Sequence, residues 1–415
     1  MKTLLQKWNN LSLIVRIVIG LIIGTILALT VPKATGISIA GTLFVTALKS
    51  IAPILVLILI MNAICHHETG EKTNIKNIIG LYLVGTFAAG ALAVIASYIF
   101  PVKLILKEAA KDIAPPSGLT DVLTQLFKNM VANPVDALMN ANFLGILVWS
   151  VLMGIVLRKG KQTTKDMIED LSMVISQIVG WVIQFAPIGV MGLIFTAVSE
   201  NGISVFQDYG KIIALLVGIM LVDALIINPI IVFTQIKENP YPLVLRCLKD
   251  SGITAFFTRS SAANIPVNMQ LCEDLNLDKN TYAISIPLGA TINMGGAAIT
   301  ISTLAMCACY TKGISVHIGL AIILSVLAAL SACGASGVPG GSLLLIPLAC
   351  SLFGIPADVS AQVIGIGFII AVIQDSMETA INSSTDVLFT ATADFKRQKK
   401  EGKITKVDAR KKKTA

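Results

Sequence analysis

Six long apolar stretches fill most of the first 235 residues, and they constrain the fold more than any other feature of the sequence. They lie at about 12–32, 39–64, 78–101, 142–157, 172–199 and 210–235. An α-helix needs about 20 apolar residues to cross a bilayer, and within lipid it satisfies its backbone hydrogen bonds internally. The sequence therefore predicts an all-α protein that crosses a membrane many times.

The composition agrees with a membrane protein and excludes an ordinary soluble domain. Hydrophobic residues make up 55% of the 415 residues and charged residues only 13%, whereas soluble domains carry about 25% charged residues. The net charge is +8, but ten basic residues lie within the last twenty positions, 396–415. This clustering indicates a basic cytoplasmic tail beside anionic lipid instead of a nucleic-acid surface.

The apolar pattern changes after residue 236. Two apolar segments, 242–271 and 315–352, are interrupted by small and polar residues, and each is followed by a continuous apolar segment, at 282–310 and 355–392. Lys and Arg near the ends of the spans predict which loops are cytoplasmic. The orientation is consistent along the chain only if both interrupted segments are re-entrant hairpins. We therefore predict eight transmembrane helices, two re-entrant hairpins and cytoplasmic termini.

The two hairpins, with opposite entry sides, form an inverted repeat, and such repeats place a substrate site near the bilayer midplane. The first tip, 258–266, contains Ser260 and Ser261; the second, 334–342, contains Val338, Gly341 and Ser342. Helix N-termini at these tips favour an anion such as a carboxylate. The alternative for each tip is an ordinary turn outside the membrane.

The segment 282–310 contains paired glycines, Gly295 and Gly296, directly after Asn293-Met294. Glycines can unwind a helix and expose its carbonyls, and carbonyl oxygens suit a hard cation such as Na⁺. The alternative is close packing of helices through small residues.

The last apolar segment carries polar residues at helical spacing. Asp375, Thr379, Asn382 and Asp386 are separated by four, three and four positions, which puts them on one helix face, with Glu378 beside them. Acids within a membrane span usually mark the path of an ion or substrate. The alternative is that the segment is interfacial and its acids are solvated.

Four motifs occur in the order and at the spacing of one family. They are the tip at 258–266, the pair Asn293-Met294, the Gly-Val-Pro-Gly sequence at 337–340 and the face from Asp375 to Asp386. Over nearly its whole length the chain resembles the dicarboxylate/amino acid:cation symporter family, which has the glutamate-transporter fold. Within this family it is most similar to bacterial members that take up serine and threonine with sodium.

The resemblance implies a homotrimer in a bacterial inner membrane that works by an elevator mechanism. Residues 1–235 would supply six helices that are largely scaffold, with some elements of the transport domain. Residues 236–395 would form the mobile core of the transport domain, and 396–415 the cytoplasmic tail.

The resemblance also implies roles for individual residues. Asp375 would hold the ammonium group of the substrate, and Asn382 and Ser261 would lie around its carboxylate and amino groups. Asp386 would supply a carboxylate to one sodium site, and Thr291 would contribute to another. The residues assigned to the substrate are Ser260, Ser261, Val338, Gly341, Ser342, Asp375, Glu378, Thr379 and Asn382, and those assigned to sodium are Gly289, Thr291, Asn293, Met294, Asn382 and Asp386.

Two departures from the family pattern predict a neutral substrate, and a third predicts fewer sodium ions. Members that carry acidic amino acids have Arg at the position of Glu378 and Thr at the position of Ala297. They have Asp at the position of Gly295, where it contributes to a further sodium site. We therefore expect sodium symport of L-serine and L-threonine, with fewer sodium ions than in those members and no other cofactor. We also consider that Arg259 neutralises Glu378.

Three other functional classes are alternatives to sodium symport of serine and threonine. A proton- or sodium-coupled symporter of C4-dicarboxylates or acidic amino acids is the main alternative, and it requires a fixed positive charge that only Arg259 can supply. The sequence has three histidines but no HExxH, GxSxG or GxxxxGK[ST] motif, so an enzyme is disfavoured. An ion channel is the third class.

Overall fold

The structure is a computed structural model of the 415-residue chain. It describes residues 11, 13–65, 74–106, 127–128, 130–140, 142–333, 340–407 and 409. Within these ranges every regular element is helical, as the apolar pattern predicts.

The first part of the chain, up to residue 236, contains nine α-helices in the described ranges. A π-helical turn, Asp223–Ile227, joins the last two of them. The helices are α1 (Leu13–Thr30), α2 (Ser38–Cys65), α3 (Ile75–Ile99), α4 (Pro134–Met139), α5 (Phe143–Leu157), α6 (Gln162–Gln184), α7 (Ala186–Asn201), α8 (Val205–Val222) and α9 (Asn228–Ile236).

The second part contains eight more α-helices among the described residues. A π-helical turn, Leu248–Gly252, joins the first two, and a 3-10 helix, Gly341–Leu345, precedes the seventh. The helices are α10 (Tyr241–Cys247), α11 (Ile253–Thr258), α12 (Ser261–Asp274), α13 (Lys279–Ile292), α14 (Gly295–Thr311), α15 (Ile318–Ala332), α16 (Ile346–Ser351) and α17 (Ala357–Lys400).

Five helical segments in the described ranges are long and apolar enough to cross a membrane. A sixth is added if α6 and α7, which meet at a bend of 52°, form one span. The helices in the predicted first and fourth spans are shorter, with apolar segments Val15–Thr30 and Gly145–Leu157. The chain is thus a helical membrane protein, and the eight-span arrangement with two re-entrant hairpins stays a prediction.

Helices α14 and α17 form the interior of the fold. Every residue from Gly295 to Cys309 in α14 is buried, and α17 is buried over most of its length from Val359 to Phe395. Helices α3, α15 and α17 pack around α14, whereas α1 and α2 pack against α7. A helix that is buried on all sides can carry polar residues without exposing them to lipid.

The chain reverses direction between α11 and α12, inside the predicted hairpin 242–271. The Ser251 hydroxyl donates to Asn268 Oδ1, and Asn264 Nδ2 lies 3.3 Å from the carbonyl oxygen of Ser251. Arg259 adopts the left-handed conformation with φ 52°, and Ser260 caps α12 by accepting a hydrogen bond from the Ala263 N–H. The first hairpin therefore has its tip at Arg259 and Ser260. Most of the second predicted tip, 334–339, lies outside the described residues.

The predicted continuous span at 282–310 is divided into α13 and α14 by Asn293 and Met294, whose φ and ψ angles are not helical. The break falls directly before Gly295 and Gly296, as expected from paired glycines. Because the helix is interrupted here, the last carbonyls of α13 have no N–H donors from a following helical turn.

The last helix extends further than the predicted segment 355–392. It continues to Lys400, so the first residues of the predicted tail are helical. Arg397 pairs with Asp394 one turn earlier and with Asp278, and these contacts stabilise the additional turns.

The described part of the tail is not simply solvated, because it contacts loops that follow α9 and α12. Lys399 pairs with Glu238, and the N–H of Val407 donates to the same carboxylate at 3.1 Å. Burial alone raises the pKa of Glu238, but the hydrogen bonds from Lys399 and Val407 outweigh it and lower this pKa below its ordinary value. The tail is therefore anchored to the loop that precedes the first hairpin.

Asp223, an isolated acid in the sixth apolar stretch, has a partner in the structure. Asn228 Nδ2 donates to Asp223 Oδ2 at 2.8 Å, and both side chains are buried. The π-helical turn places these two residues next to each other by accommodating an extra residue.

We predict that Gly296→Ala lowers the stability of the protein. A Cβ atom at Gly296 would lie 2.7 Å from the backbone oxygen of Glu378, and such overpacking costs about 1–3 kcal/mol. Gly295→Ala is the matched control, because the nearest atom to its Cβ is the Ala89 Cβ at 3.5 Å. Thermal unfolding of both purified variants measures the difference, and equal melting temperatures would contradict the close contact.

Candidate functional site

The polar residues predicted on one face of the last segment are buried along α17. Asp375, Glu378 and Asn382 are between 3% and 5% exposed, and Asp386 is fully buried. Because α17 is a single helix across these positions, their side chains are presented to the same neighbouring helices. The structure divides them into three groups of contacts, centred on Asp375, Glu378 and Asp386.

The first group joins Arg259 and Gly340 to α17 through Asp375. Arg259 Nε donates to Asp375 Oδ2 at 2.7 Å, and Arg259 Nη2 lies 2.6 Å from the same oxygen. The N–H of Gly340, at the end of the second tip, donates to Asp375 Oδ1 at 3.2 Å. Both side chains of the ion pair are about nineteen-twentieths buried. The hypothesis that Arg259 neutralises Glu378 is wrong, because the arginine pairs with Asp375.

The second group surrounds Glu378. Its Oε2 atom accepts hydrogen bonds from the hydroxyls of Thr300 at 2.7 Å and Ser342 at 2.8 Å, and from Gln374 Nε2. Ser342 is a predicted site residue, whereas Thr300 and Gln374 are additional. Gln374 could have been found from its position one turn before Glu378, but no sequence signal connects Thr300 on α14 with α17.

The third group lies where α13 and α14 meet α17. Asn293 Nδ2 donates to Asp386 Oδ1 at 2.9 Å and to the Thr385 hydroxyl at 2.8 Å. Asp386 Oδ2 is buried and has no hydrogen-bond partner among the described residues. A Cβ atom at Gly289 would lie 2.6 Å from Asp386 Oδ1, so only glycine permits this close approach.

The third group has the chemistry of a cation site. A buried carboxylate oxygen without a partner is costly unless a cation or donor compensates it. Thr385 and Asp386, whose side-chain oxygens both contact Asn293 Nδ2, offer the hard oxygen ligands that alkali and alkaline-earth cations prefer. Gly289, Asn293 and Asp386 come together here as predicted.

Asn382 and Tyr82 hold the surrounding helices in position. Asn382 Oδ1 accepts from the Gly296 N–H at 2.8 Å, which attaches the start of α14 to α17. The Tyr82 hydroxyl on α3 lies 3.0 Å from the Thr390 hydroxyl and 3.2 Å from the Asp386 carbonyl oxygen. Nothing in the sequence indicated Tyr82, because it comes from a distant apolar helix.

Other predicted residues are satisfied within their own helices. The Thr379 hydroxyl donates to the Asp375 carbonyl at 2.8 Å, and the Thr291 hydroxyl to the Leu288 carbonyl at 2.7 Å. The structure does not bring these two hydroxyls into the three groups.

The remaining predicted residues surround the groups. Ser261 begins α12, Gly341 begins the 3-10 helix within the predicted second tip, and Met294 is buried at the break between α13 and α14. Val338 lies outside the described residues.

The comparison with known families identifies the chain. A model of the sodium:dicarboxylate symporter family matches residues 13–395. The chain belongs to the sodium:dicarboxylate symporter family. The family resemblance inferred from the four motifs is therefore confirmed, and the family is one of symporters.

Curated relatives in this family are similar along nearly their whole length. The chain is 59% identical over 395 residues to the serine/threonine transporter SstT of Streptococcus agalactiae serotype III, which covers 95% of this chain and 98% of the relative. It is 56% identical over 401 residues to the serine/threonine transporter SstT of Streptococcus thermophilus, which covers 96% of this chain and all of the relative.

We predict that the Arg259–Asp375 pair behaves as one buried unit. Arg259→Gln or Asp375→Asn alone leaves one buried charge without its partner, which costs about 3–5 kcal/mol. The double variant leaves neither charge of the pair without its partner. Its loss of stability should therefore be clearly smaller than the sum of the losses in the two single variants. Thermal unfolding of the four proteins without substrate completes the cycle. Additive losses would show that the two side chains do not interact.

Proposed function

We propose that this chain imports L-serine and L-threonine together with sodium ions. The observation that carries the proposal is the set of buried carboxylates on α17, whose only described arginine partner is already paired. Arg259 balances the charge of Asp375. If Glu378 and Asp386 are also ionised, two formal negative charges remain in the buried site. A zwitterionic amino acid and sodium ions suit this charge, whereas an anionic substrate does not.

The contacts of Asp375 support its role with the substrate ammonium. Among the described residues its Oδ1 atom accepts only a 3.2 Å hydrogen bond, from the Gly340 N–H, so it can accept a stronger bond from an ammonium group. The substrate carboxylate would lie near the N-terminus of α12, where Ser261 begins a helix of 14 residues.

The contacts of Glu378 support a substrate whose side chain carries a hydroxyl group. Its Oε2 atom already accepts from two hydroxyls, those of Thr300 and Ser342. A serine or threonine hydroxyl is chemically equivalent to these donors. A second carboxylate in the substrate would be repelled, because like charges at close range in a buried site cost several kcal/mol.

The dicarboxylate alternative requires a positive charge that is free to bind the second carboxylate. Arg259 is the candidate, and it is paired with Asp375. The names of the curated relatives also favour serine and threonine. Both observations support the neutral amino acid, although the family is named after dicarboxylates.

Sodium would bind in the third group, between Asp386, Thr385 and the end of α13. The unpartnered Oδ2 atom of Asp386 and the lack of a side chain at Gly289 support this position. The proposal also includes a second sodium ion near Thr291, which rests on the family resemblance alone.

The proposal includes the wider arrangement expected for the family. It comprises a homotrimer in a bacterial inner membrane, cytoplasmic termini, and an elevator movement of residues 236–395 against a scaffold formed largely by residues 1–235. The packing of α1 and α2 mainly against α7, and of α3, α15 and α17 around α14, supports this division.

We expect purified protein in proteoliposomes to accumulate labelled L-serine when sodium is higher outside. Replacement of sodium by potassium should abolish accumulation, and excess L-threonine should block it. Excess L-aspartate or succinate should leave it unchanged, because the site has no free positive charge. Uptake that ignores sodium, or that aspartate or succinate blocks, would contradict the proposed substrate and coupling.

We predict that Gly295→Asp increases the number of sodium ions transported with each serine. Gly295 has room for a side chain, since the nearest atom to a Cβ there is 3.5 Å away. A carboxylate at this position would add an oxygen ligand close to Asn293.

The coupling ratio is obtained from paired sodium and serine fluxes. Gly295→Asn is the matched control, which has the same shape without the charge. An unchanged number of sodium ions per serine in Gly295→Asp would contradict this prediction. A wild-type sodium number equal to that of the family members that transport acidic amino acids would also contradict it.

A further inference from the structure

Gly296 allows α14 to approach α17 closely at Glu378. A Cβ atom at Gly296 would lie 2.7 Å from the backbone oxygen of Glu378 and 2.9 Å from its Cα atom. Thr300 is four residues after Gly296, so it lies on the same face of α14. The close approach of the two helices thus brings the Thr300 hydroxyl within 2.7 Å of Glu378 Oε2.

The Thr300 hydroxyl has one hydrogen and two acceptors within reach. The Gly296 carbonyl oxygen is 3.1 Å away, whereas Glu378 Oε2 is 2.7 Å away, and the shorter distance favours Glu378 as the acceptor. The same hydroxyl accepts a hydrogen bond from Gln374 Nε2 at 2.8 Å, and Gln374 Nε2 also donates to Glu378 Oε2. Thr300, Gln374 and Glu378 therefore form a closed ring of hydrogen bonds.

The amide of Gln374 is held in an orientation that does not satisfy its own oxygen. Gln374 Oε1 is buried and has no hydrogen-bond partner in the described part of the chain, which is destabilising for a buried polar atom. The opposite orientation would direct Oε1 at Glu378 Oε2, so that two acceptors would face each other. The observed orientation is therefore explained by the N–H donor that it supplies to Glu378.

These contacts leave one oxygen of Glu378 for a ligand. Its Oε2 atom accepts from Thr300, Gln374 and Ser342, whereas no described residue donates a hydrogen bond to Oε1. Thr300 is fully buried, Gln374 and Ser342 are 1% exposed, and Glu378 is 5% exposed. Glu378 is therefore the most accessible side chain of this group.

We propose that Thr300 and Gln374 are positioning residues that make the protein select a substrate with a side-chain hydroxyl over L-alanine. By holding Oε2, they fix the carboxyl group of Glu378 so that Oε1 accepts a hydrogen bond from the substrate hydroxyl. This inference rests on the proposed function, in which Asp375 binds the substrate ammonium. Asp375 and Glu378 are three residues apart, about 4.5 Å along α17, and one small amino acid spans that distance.

Uptake of labelled L-serine and of labelled L-alanine into proteoliposomes with an inward sodium gradient tests the proposal. Thr300→Val removes the hydroxyl and keeps the shape of the side chain. The ratio of kcat/KM for serine to kcat/KM for alanine should fall about tenfold, because only serine loses a hydrogen bond to a carboxyl group. Thr300→Ser keeps the hydroxyl and should restore the wild-type ratio.

Thr303→Val is the matched control. Thr303 lies on the same helix and is fully buried, and its hydroxyl has no hydrogen-bond partner among the described residues. Its replacement should therefore leave the ratio at the wild-type value.

Gln374→Met is a second test variant, because it removes the N–H donor together with the unpartnered oxygen. It should lower the ratio without lowering the melting temperature, since no buried polar atom of residue 374 is left without a partner.

The outcomes separate this proposal from the proposed function. An unchanged ratio in Thr300→Val would overturn the proposal, as would equal losses for serine and alanine, which indicate a purely structural role. If Thr300→Val does not fold, the same two results in Gln374→Met overturn it. Wild-type protein that accumulates no serine contradicts the proposed function and this inference together, whereas serine accumulation with an unchanged ratio in the variants contradicts the inference alone.

Discussion

The buried ion pair between Arg259 and Asp375 connects the parts of the structure on which the proposed site depends. Arg259 comes from the tip of the first hairpin, Asp375 from the middle of α17, and the Gly340 N–H brings the end of the second tip to the same carboxylate. Two charges in an apolar interior persist only when they are paired and hydrogen-bonded. A ligand that bound Asp375 would have to change its contacts with Arg259 and with the Gly340 N–H, which would couple occupancy to the positions of the segments that carry them.

Burial of α14 and α17 restricts which groups can contact the remaining polar side chains of α17. Glu378 is held by hydroxyl and amide donors, and Asp386 by Asn293, with one oxygen that has no partner in the described part of the chain. The two carboxylates lie two helical turns apart, so under the proposed assignment one helix would present a place for a substrate side chain and a place for a cation. Movement of α17 would carry both together, which is the simplest physical basis for coupled transport.

The family, the helical fold and the polar face of the last helix could be predicted from the sequence, because they depend on apolar length and on spacing within one helix. Asp375 and Asp386 were found in this way. Thr300 and Tyr82 were not, because they reach α17 from other helices and sequence spacing contains no such distance. The wrong partner for Arg259 has the same cause, since Asp375 and Glu378 are both plausible neighbours until the fold decides between them. The longer α17 reflects ion pairs with distant loops.

The most direct test of the account is the dissociation constant of L-serine measured by calorimetry at increasing sodium concentration, with potassium keeping the ionic strength constant. If Asp386 forms a sodium site beside the substrate site, the wild-type Kd should fall steadily as sodium rises. Asp386→Asn should bind serine weakly with little dependence on sodium, whereas Asp375→Asn should lose binding at every sodium concentration. A wild-type Kd that does not depend on sodium would contradict the coupling of the two sites through α17.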